Sequence, residues 1–557
     1  MQKEQLTLVI VSMLVVVLSV SLAWFTTQIL GKGKDVSVSS ANLQITFTDS
    51  DGALSATDIE PGWKATKAFT VQNNSKSEYK YNIVIKDLLN TFVTKGYLQY
   101  KITSTNNGYN MTDYVDVPKS STATDTVLAY SVSIPVGVTQ TYTIEFTYSN
   151  DEDVDQSADM NKKLSGTLFI TEGSAPTLLS QILNDNPSRS TRSNNNNGVN
   201  DFATPLTTTT TGTLFTSTES IAGVTDSQKE VYYYAGNTTN NWVKFGKYQK
   251  DLAVYLGYND STNTFDYIEY STLDECNSSS FYNLNCTEYK YANAGDDIYW
   301  RIIRTNHDGS IRLLYVGNRH DTERNNIGKS VFNTDSNSPK YVGYKYGEDT
   351  SLDTIRNNTT DSTIKTYIDT WYQNNLTNYT KYLSTSAVYC NDRSLGTGQT
   401  YNTSSNFKFA PYYRMDLETE GTAANPSYNC SDIRDAFSVD NTSAKLDYSI
   451  ALMTVDEMAF AGGVAFQTMS TPYAWFISNS AGSQVSTYWW SLSPIGWNDE
   501  YALNFRWIID DVKFEEYAVE NEYGVRPVLS LKSCVKWKSG YGSAGAPYTI
   551  EETSTGC

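Results

Sequence analysis

Between residues 36 and 172 the apolar residues fall at every second position, and that period constrains the chain more than any other feature. Leu43, Ile45 and Phe47 alternate with polar residues, as do Tyr79, Tyr81, Ile83 and Ile85, then Tyr142, Ile144 and Phe146, and finally Leu168 and Ile170. Phe69 with Val71, Tyr100 with Ile102, and Val132 with Ile134 add three shorter runs. Side chains on a strand point to opposite faces in turn, so each run reads as a strand with one face to bury. Pro61-Gly62, Asn73-Asn74-Ser75 and Asn106-Asn107-Gly108 supply the turns between them. About seven such strands predict an all-β, Ig-like sandwich over residues 36–172.

Ahead of that domain, Leu6 to Phe25 is twenty residues without a charge. A helix of that length rises about 30 Å and spans a bilayer core, so residues 6–25 of an N-terminal segment 1–35 predict a transmembrane helix. Ser21-Leu22-Ala23 also places small residues where a signal peptidase reads, so an uncleaved anchor and a cleaved export signal both stand. Lys3, Glu4, Lys32 and Lys34 do not decide the orientation. The remainder is expected on the extracellular face of the membrane, or secreted and held at the cell surface.

A chain of 557 residues exceeds one ordinary core and predicts a multidomain protein. Its net charge of −19 repels phosphate backbones, which excludes nucleic acid as a partner. All six cysteines, Cys276, Cys286, Cys390, Cys430, Cys534 and Cys557, lie in the second half, without the close spacing of a zinc or redox pair. In an exported chain an even number predicts disulfides, and the sequential pairing is the simplest.

Residues 173–211 read as a connection. Leu178, Leu179, Ile182 and Leu183 have helical spacing behind Pro176, and Asn194 to Asn197 and Thr207 to Thr211 have the composition of a solvated linker. Residues 212–557 read as an α+β domain stapled by its cysteines. Ile364, Tyr367, Ile368, Trp371 and Tyr372 give one apolar face to a helix over about 361–376, and Thr454 with Glu457 has the pattern of a capping box.

Two resemblances follow from particular motifs. The apolar helix ending in Ala23-Trp24-Phe25, then Ile59-Glu60-Pro61-Gly62, Phe69-Thr70-Val71-Gln72-Asn73-Asn74, Tyr142 to Phe146, the acidic loop Asp151 to Asp159 and Ser165 to Ile170 together resemble the camelysin and biofilm-fibre family of Gram-positive bacteria. The resemblance implies an exported sandwich, in some members assembled into fibres. Asp297 to Arg304, Asp308 to Leu313, Tyr488 to Pro494 and Gly524 to Leu529 resemble a surface domain of gut Firmicutes, and the last two are similar to the signature of C-type-lectin-like and formylglycine-generating-enzyme-like folds.

Catalytic motifs are sparse. The chain has two histidines, His307 in a tight turn and His320 beside Asp321, and no HExxH, GxSxG or phosphate loop. No cysteine matches a formylglycine-generating catalytic pair, so no enzyme is expected and no catalytic residue is assigned. Asp151, Asp153 and Asp155 alternate like a calcium loop, but Gln156 and Lys162 occupy the positions that need Gly and Glu. Trp497-Asn498-Asp499 reproduces the calcium and sugar motif of C-type lectins, which makes Asn498, Asp499 and Glu500 the candidate metal ligands, with calcium the one cofactor considered and otherwise none. Trp489, Trp490 and Trp497 belong to a dense group of tryptophans and are the candidate ligand-binding residues, since a sugar ring stacks on an exposed indole. Arg301 and Arg526, charges inside apolar runs, imply solvent-facing sides or buried ion pairs.

These features predict a bacterial cell-surface binding protein, an adhesin that recognises a glycan or protein of a host or neighbouring cell through residues 212–557. The alternatives are a self-assembling subunit of an extracellular fibre or pilus, and a metal-dependent surface hydrolase.

Overall fold

The computed structural model describes residues 36–557 except 41–42, 50–53, 57–58, 75–77, 95, 174, 193–201, 203, 225–228, 260–263, 271, 279–283, 323, 416–424, 470–472, 484–487 and 509–512. The expected membrane segment 6–25 lies outside these residues; among those described, no helix is long and apolar enough to cross a membrane. The chain divides into two compact units, 1–175 and 176–557.

Among the described residues the first unit holds ten strands in two antiparallel sheets. They are β1 (Val36–Ser40), β2 (Leu43–Asp49), β3 (Leu54–Ala56), β4 (Lys64–Asn73), β5 (Tyr79–Asn90), β6 (Leu98–Ser104), β7 (Val115–Asp116), β8 (Ser120–Ile134), β9 (Thr139–Tyr148) and β10 (Leu164–Glu172). One sheet runs β1-β2-β4-β9-β6-β7 and the other β3-β10-β5-β8. Phe69 and Val71 of β4 and Tyr142, Ile144 and Phe146 of β9 bury against Ile83 and Ile85 of β5 and Leu168 of β10, so the two sheets share one core. That is the sandwich the period-two pattern requires. Polar groups inside it are paired: the Tyr81 hydroxyl donates to Gln140 Oε1 at 2.6 Å and lies 2.6 Å from the Tyr142 hydroxyl. Three strands exceed the expected seven. They are β1, β3 and β7, runs of five, three and two residues.

The second unit is α+β and is built on two larger sheets. The first has eight strands, in the order 188–191, 213–219, 229–233, 297–305, 311–317, 527–531 and 450–452, with 242–247 pairing onto 297–305. The second orders 329–331, 522–524, 489–497, 502–508 and 513–518, with 407–408 pairing onto 489–497. Strands Ile311–Gly317 and Trp489–Trp497 are buried at every residue, because both faces of each are covered. Helix Thr363–Asn375 forms where its apolar spacing places it, capped by Ser362, and buries Ile364, Ile368, Trp371 and Tyr372. Helix Val455–Phe460 starts with the expected reciprocal cap between Thr454 and Glu457. The disulfides are Cys276–Cys286, Cys390–Cys430 and Cys534–Cys557.

The expected connection 173–211 is in large part a packed element of the second unit. Helix Leu178–Asp185, capped by Thr177, sets Leu178 and Ile182 into the main core, and Ser188–Thr191 pairs in parallel with Thr213–Thr216. Arg192 then donates to the carbonyls of Ala459 and Phe460, each at 3.0 Å. Its apolar helical face, read as a local feature of a linker, is what roots the segment.

Candidate functional site

Trp489, Trp490 and Trp497 are buried, which removes the expected stacking platform. An indole on a sheet covered on both sides has no free face. Trp489 lies under the Arg526 guanidinium at 4.9 Å; Trp490 packs edge-on to Phe332 and Tyr523 and donates to the Ser330 carbonyl at 3.1 Å. Trp497, 3% exposed, donates to the Thr403 carbonyl at 3.2 Å. Asn498, Asp499 and Glu500 form the exposed turn of the hairpin Trp489–Trp497/Ala502–Ile508. The Asn498 Oδ1 accepts from the backbone N–H of Glu500 at 3.1 Å and of Tyr501 at 2.6 Å, and Asp499 takes a left-handed φ of 76°. The motif thus fits an Asx turn, with its best ligand oxygen already used by the backbone.

His320 Nδ1 meets Ser480 Oγ at 2.6 Å rather than forming a dyad with Asp321. Arg301 and Arg526 are both buried, with carbonyls, an amide and indole rings among their contacts. Arg301 donates to Asn241 Oδ1 at 2.5 Å and the Thr238 carbonyl at 2.8 Å, 4.1 Å from the Trp242 ring. Arg526 donates to the carbonyls of Phe476 at 2.6 Å and Tyr315 at 3.2 Å. Burial lowers each guanidinium to about 9, and for Arg301 the nearby charge of Arg526 adds to the effect.

The strongest polar constellation lies elsewhere. Arg304 and Arg312 face each other across the hairpin Asp297–Thr305/Ile311–Gly317, a placement that two cations tolerate only with a shared anion. Glu457 supplies it: its Oε1 takes Arg304 Nε at 2.9 Å and an Arg312 amino group at 2.5 Å, while Oε2 accepts the Thr454 N–H at 3.0 Å. Arg304 also reaches Glu219 at 2.9 Å and lies 4.3 Å from the Tyr428 ring. His307, in its hairpin turn, places Nδ1 3.3 Å from Glu219 and donates its backbone N–H to the same carboxylate. Beside this group Arg414 bonds Asp392 at 2.8 Å and grips both oxygens of Asp456 at 2.8 and 2.9 Å.

Burial would raise these carboxylic acids, and the guanidinium charges reverse it. Arg304 and the His307 contact hold Glu219 down to about 2; Arg312 and Arg304 lower Glu457, and Arg414 lowers Asp392. The carboxylates in turn raise Arg304, through Glu219 and Glu457, and Arg414, through Asp456 and Asp392, against their own burial. The group opens into a pocket lined also by Ile221, Val388, Cys390, Ser427, Tyr428, Asn429, Thr454 and Ser493. Its free space, measured for the centre of a water molecule, is about 20 Å³, room for a water or a single functional group. Chemically the arrangement offers fixed charge and directed hydrogen bonds, with each of these three carboxyls held ionised.

A second cluster gathers Asp361, Asp369 and Asp447, whose oxygens lie within 4.8 Å of one another. The fully buried Lys365 ammonium sits among them, 2.9, 2.6 and 2.8 Å from the three carboxylates. The chain's own cation holds the place a metal would take.

Reading the sequence alone did not find the arginine pocket. Its signals were present, as arginines inside apolar strands and a Glu in a capping box, but their meeting depends on contacts 145 and 153 residues apart.

No family model matches this chain, and no curated protein matches it. Among solved structures, a xanthan lyase from Paenibacillus is similar over 48% of this chain and 23% of its own, with 12% identity and a TM-score of 0.14. The chain thus spans about a quarter of that protein's length, and a likeness of that grade carries no argument about fold or activity.

Proposed function

We propose that the protein works outside the cytoplasm as a binding protein, an adhesin whose second unit recognises a hydroxyl-rich ligand at the pocket of Arg304, Arg312, Arg414 and Tyr428. The observation that carries the reading is a solvent-reaching pocket walled by fixed, mutually neutralising charges. Such walls give directional, charge-assisted hydrogen bonds. Three disulfides point to an oxidising compartment, in keeping with export. The camelysin-like and lectin-like motifs and the apolar stretch 6–25 agree with a surface protein tied to the membrane. The test is retention of the full chain on a glycan array and on intact cells, with calcium present and chelated. Retention on glycans supports the reading; no retention on any surface overturns it.

The second reading is a fibre subunit. It is favoured by β1, which stands at the outer edge of its six-stranded sheet and pairs only with β2 among the described residues. Fibres in electron micrographs of the purified chain would support it, and single particles at high concentration would remove it.

A further inference from the structure

Resting on the adhesin reading for its class of ligand, we infer that the second unit carries a sugar-stacking platform apart from the pocket. It is formed by Phe466, Tyr412 and Tyr413, and a pyranose ring lies face down on it.

Backbone conformation is the first argument. Phe466 holds a left-handed φ of 60°, which for a bulky side chain is an outlier and costs conformational energy. The turn itself belongs to the fold, because Ala465 bridges in parallel to Phe514 and the Phe466 N–H donates to the Phe514 carbonyl at 3.0 Å. Gly or Asn would make the same bond at that φ with less strain. The phenyl ring is therefore not what the backbone asks for.

Exposure is the second and independent argument. Phe466 is 40% exposed, and its ring meets Tyr412 and Phe505 at the loose centroid distances of 6.1 and 6.2 Å. A ring kept in a strained turn and left partly in water points to use by something outside the chain.

The neighbouring rings are held in place. Tyr412 and Tyr413 stand half-buried on helix Ala410–Met415, edge to face at 5.6 Å. Tyr413 lies against Gly396, where any Cβ would run into the ring, and its hydroxyl accepts from Gln399 Nε2 at 2.6 Å. The Lys408 ammonium sits 4.9 Å from the centre of the Tyr412 ring and pairs with Glu516 at 2.9 Å. Ring faces beside a rim of donors and acceptors suit a sugar, which presents an apolar face ringed by hydroxyls.

Size chooses between a sugar and a protein partner. An aromatic side chain buries about 150–250 Å² in all, and these three are already more than half hidden. What they still offer falls well short of the roughly 800 Å² that each side of a stable protein interface covers. A ring-sized guest fits.

The test uses the full chain on an array of neutral hexose and N-acetylhexosamine oligosaccharides beside Leu- and Phe-rich peptides, comparing wild type with Phe466→Asn and Phe466→Trp. Phe466→Asn relieves the turn, so its melting temperature should match or exceed that of wild type. Its glycan binding should fall on the order of tenfold. Phe466→Trp keeps a stacking face and should bind within about threefold of wild type. Glycan binding that Phe466→Asn leaves unchanged overturns the inference and leaves the adhesin reading in place. So does a melting temperature lowered by Phe466→Asn, which assigns the ring to packing. Phe466-dependent capture of the peptides without the glycans overturns the sugar as guest. Retention of neither glycan nor peptide overturns both readings.

Discussion

Arg312 and Glu457 meet at 2.5 Å although 145 residues separate them, both nearly sealed from solvent. The pair ties the central hairpin of the large sheet to the N-terminal cap of helix Val455–Phe460. A buried ion pair adds little beyond an apolar pair of equal fit, but breaking one side leaves a bare charge. Glu457→Gln leaves Arg312 without its carboxylate and Arg304 with Glu219 alone, and the expected loss is about 3–5 kcal/mol of unfolding free energy in urea titration. Glu515→Gln removes the more exposed partner of Arg506 and should cost under about 1 kcal/mol in the same assay.

Asp369 provides a pH dependence. Burial pushes its carboxyl up to about 6, partly offset by Lys365. The folded chain therefore holds this proton more tightly than the unfolded chain, where an Asp titrates near about 3.9. The stability it contributes is present below about pH 4 and is lost as pH rises to about 6. Wild type should thus lose stability relative to Asp369→Asn across that window, by on the order of 2 kcal/mol. Parallel urea titrations at pH 4 and pH 7 read the difference, and an unchanged gap would refute the assignment.

The disulfide Cys390–Cys430 borders the pocket, since Cys390 lines it and Cys430 follows directly on Tyr428 and Asn429. Opening this 40-residue crosslink by Cys390→Ser with Cys430→Ala should lower stability by about 2–5 kcal/mol. It should also speed proteolysis near residue 428 ahead of other sites. Non-reduced peptide mapping of the wild type should recover all three sequential pairs.

Trp490→Ala separates the packing role from the surface role. Deleting a wholly buried indole should cost about 3–5 kcal/mol and lower the melting temperature. An indole that merely offered a stacking face would leave the melting curve unmoved.

What could be read ahead of the structure was local. The alternation Phe69, Val71 and the face Ile364, Ile368, Trp371 speak to strand and helix because neighbouring residues alone decide those periods. The cap Thr454–Glu457 spans three positions and was equally plain. Tryptophan exposure was not legible, because it depends on what covers the sheet: Trp490 needs Phe332, just after strand Lys329–Val331, and Tyr523, in strand Glu522–Gly524, to hide it. The pocket was hidden for the same reason, assembled from Glu219, Arg304, Arg414 and Glu457 on distant segments. Asn498 misled in the opposite direction, since a short motif reads alike whether its oxygen meets a cation or the next two amides.

The rooted segment after Pro176 changes how a pull on the chain would be borne. Tension arriving from the N-terminal side meets Leu178 and Ile182 wedged in the interior, then a zipped parallel strand, then Arg192 clasping the end of helix Val455–Phe460. Load is handed to the same helix that carries Glu457, so a pull on this segment would bear on the wall of the pocket.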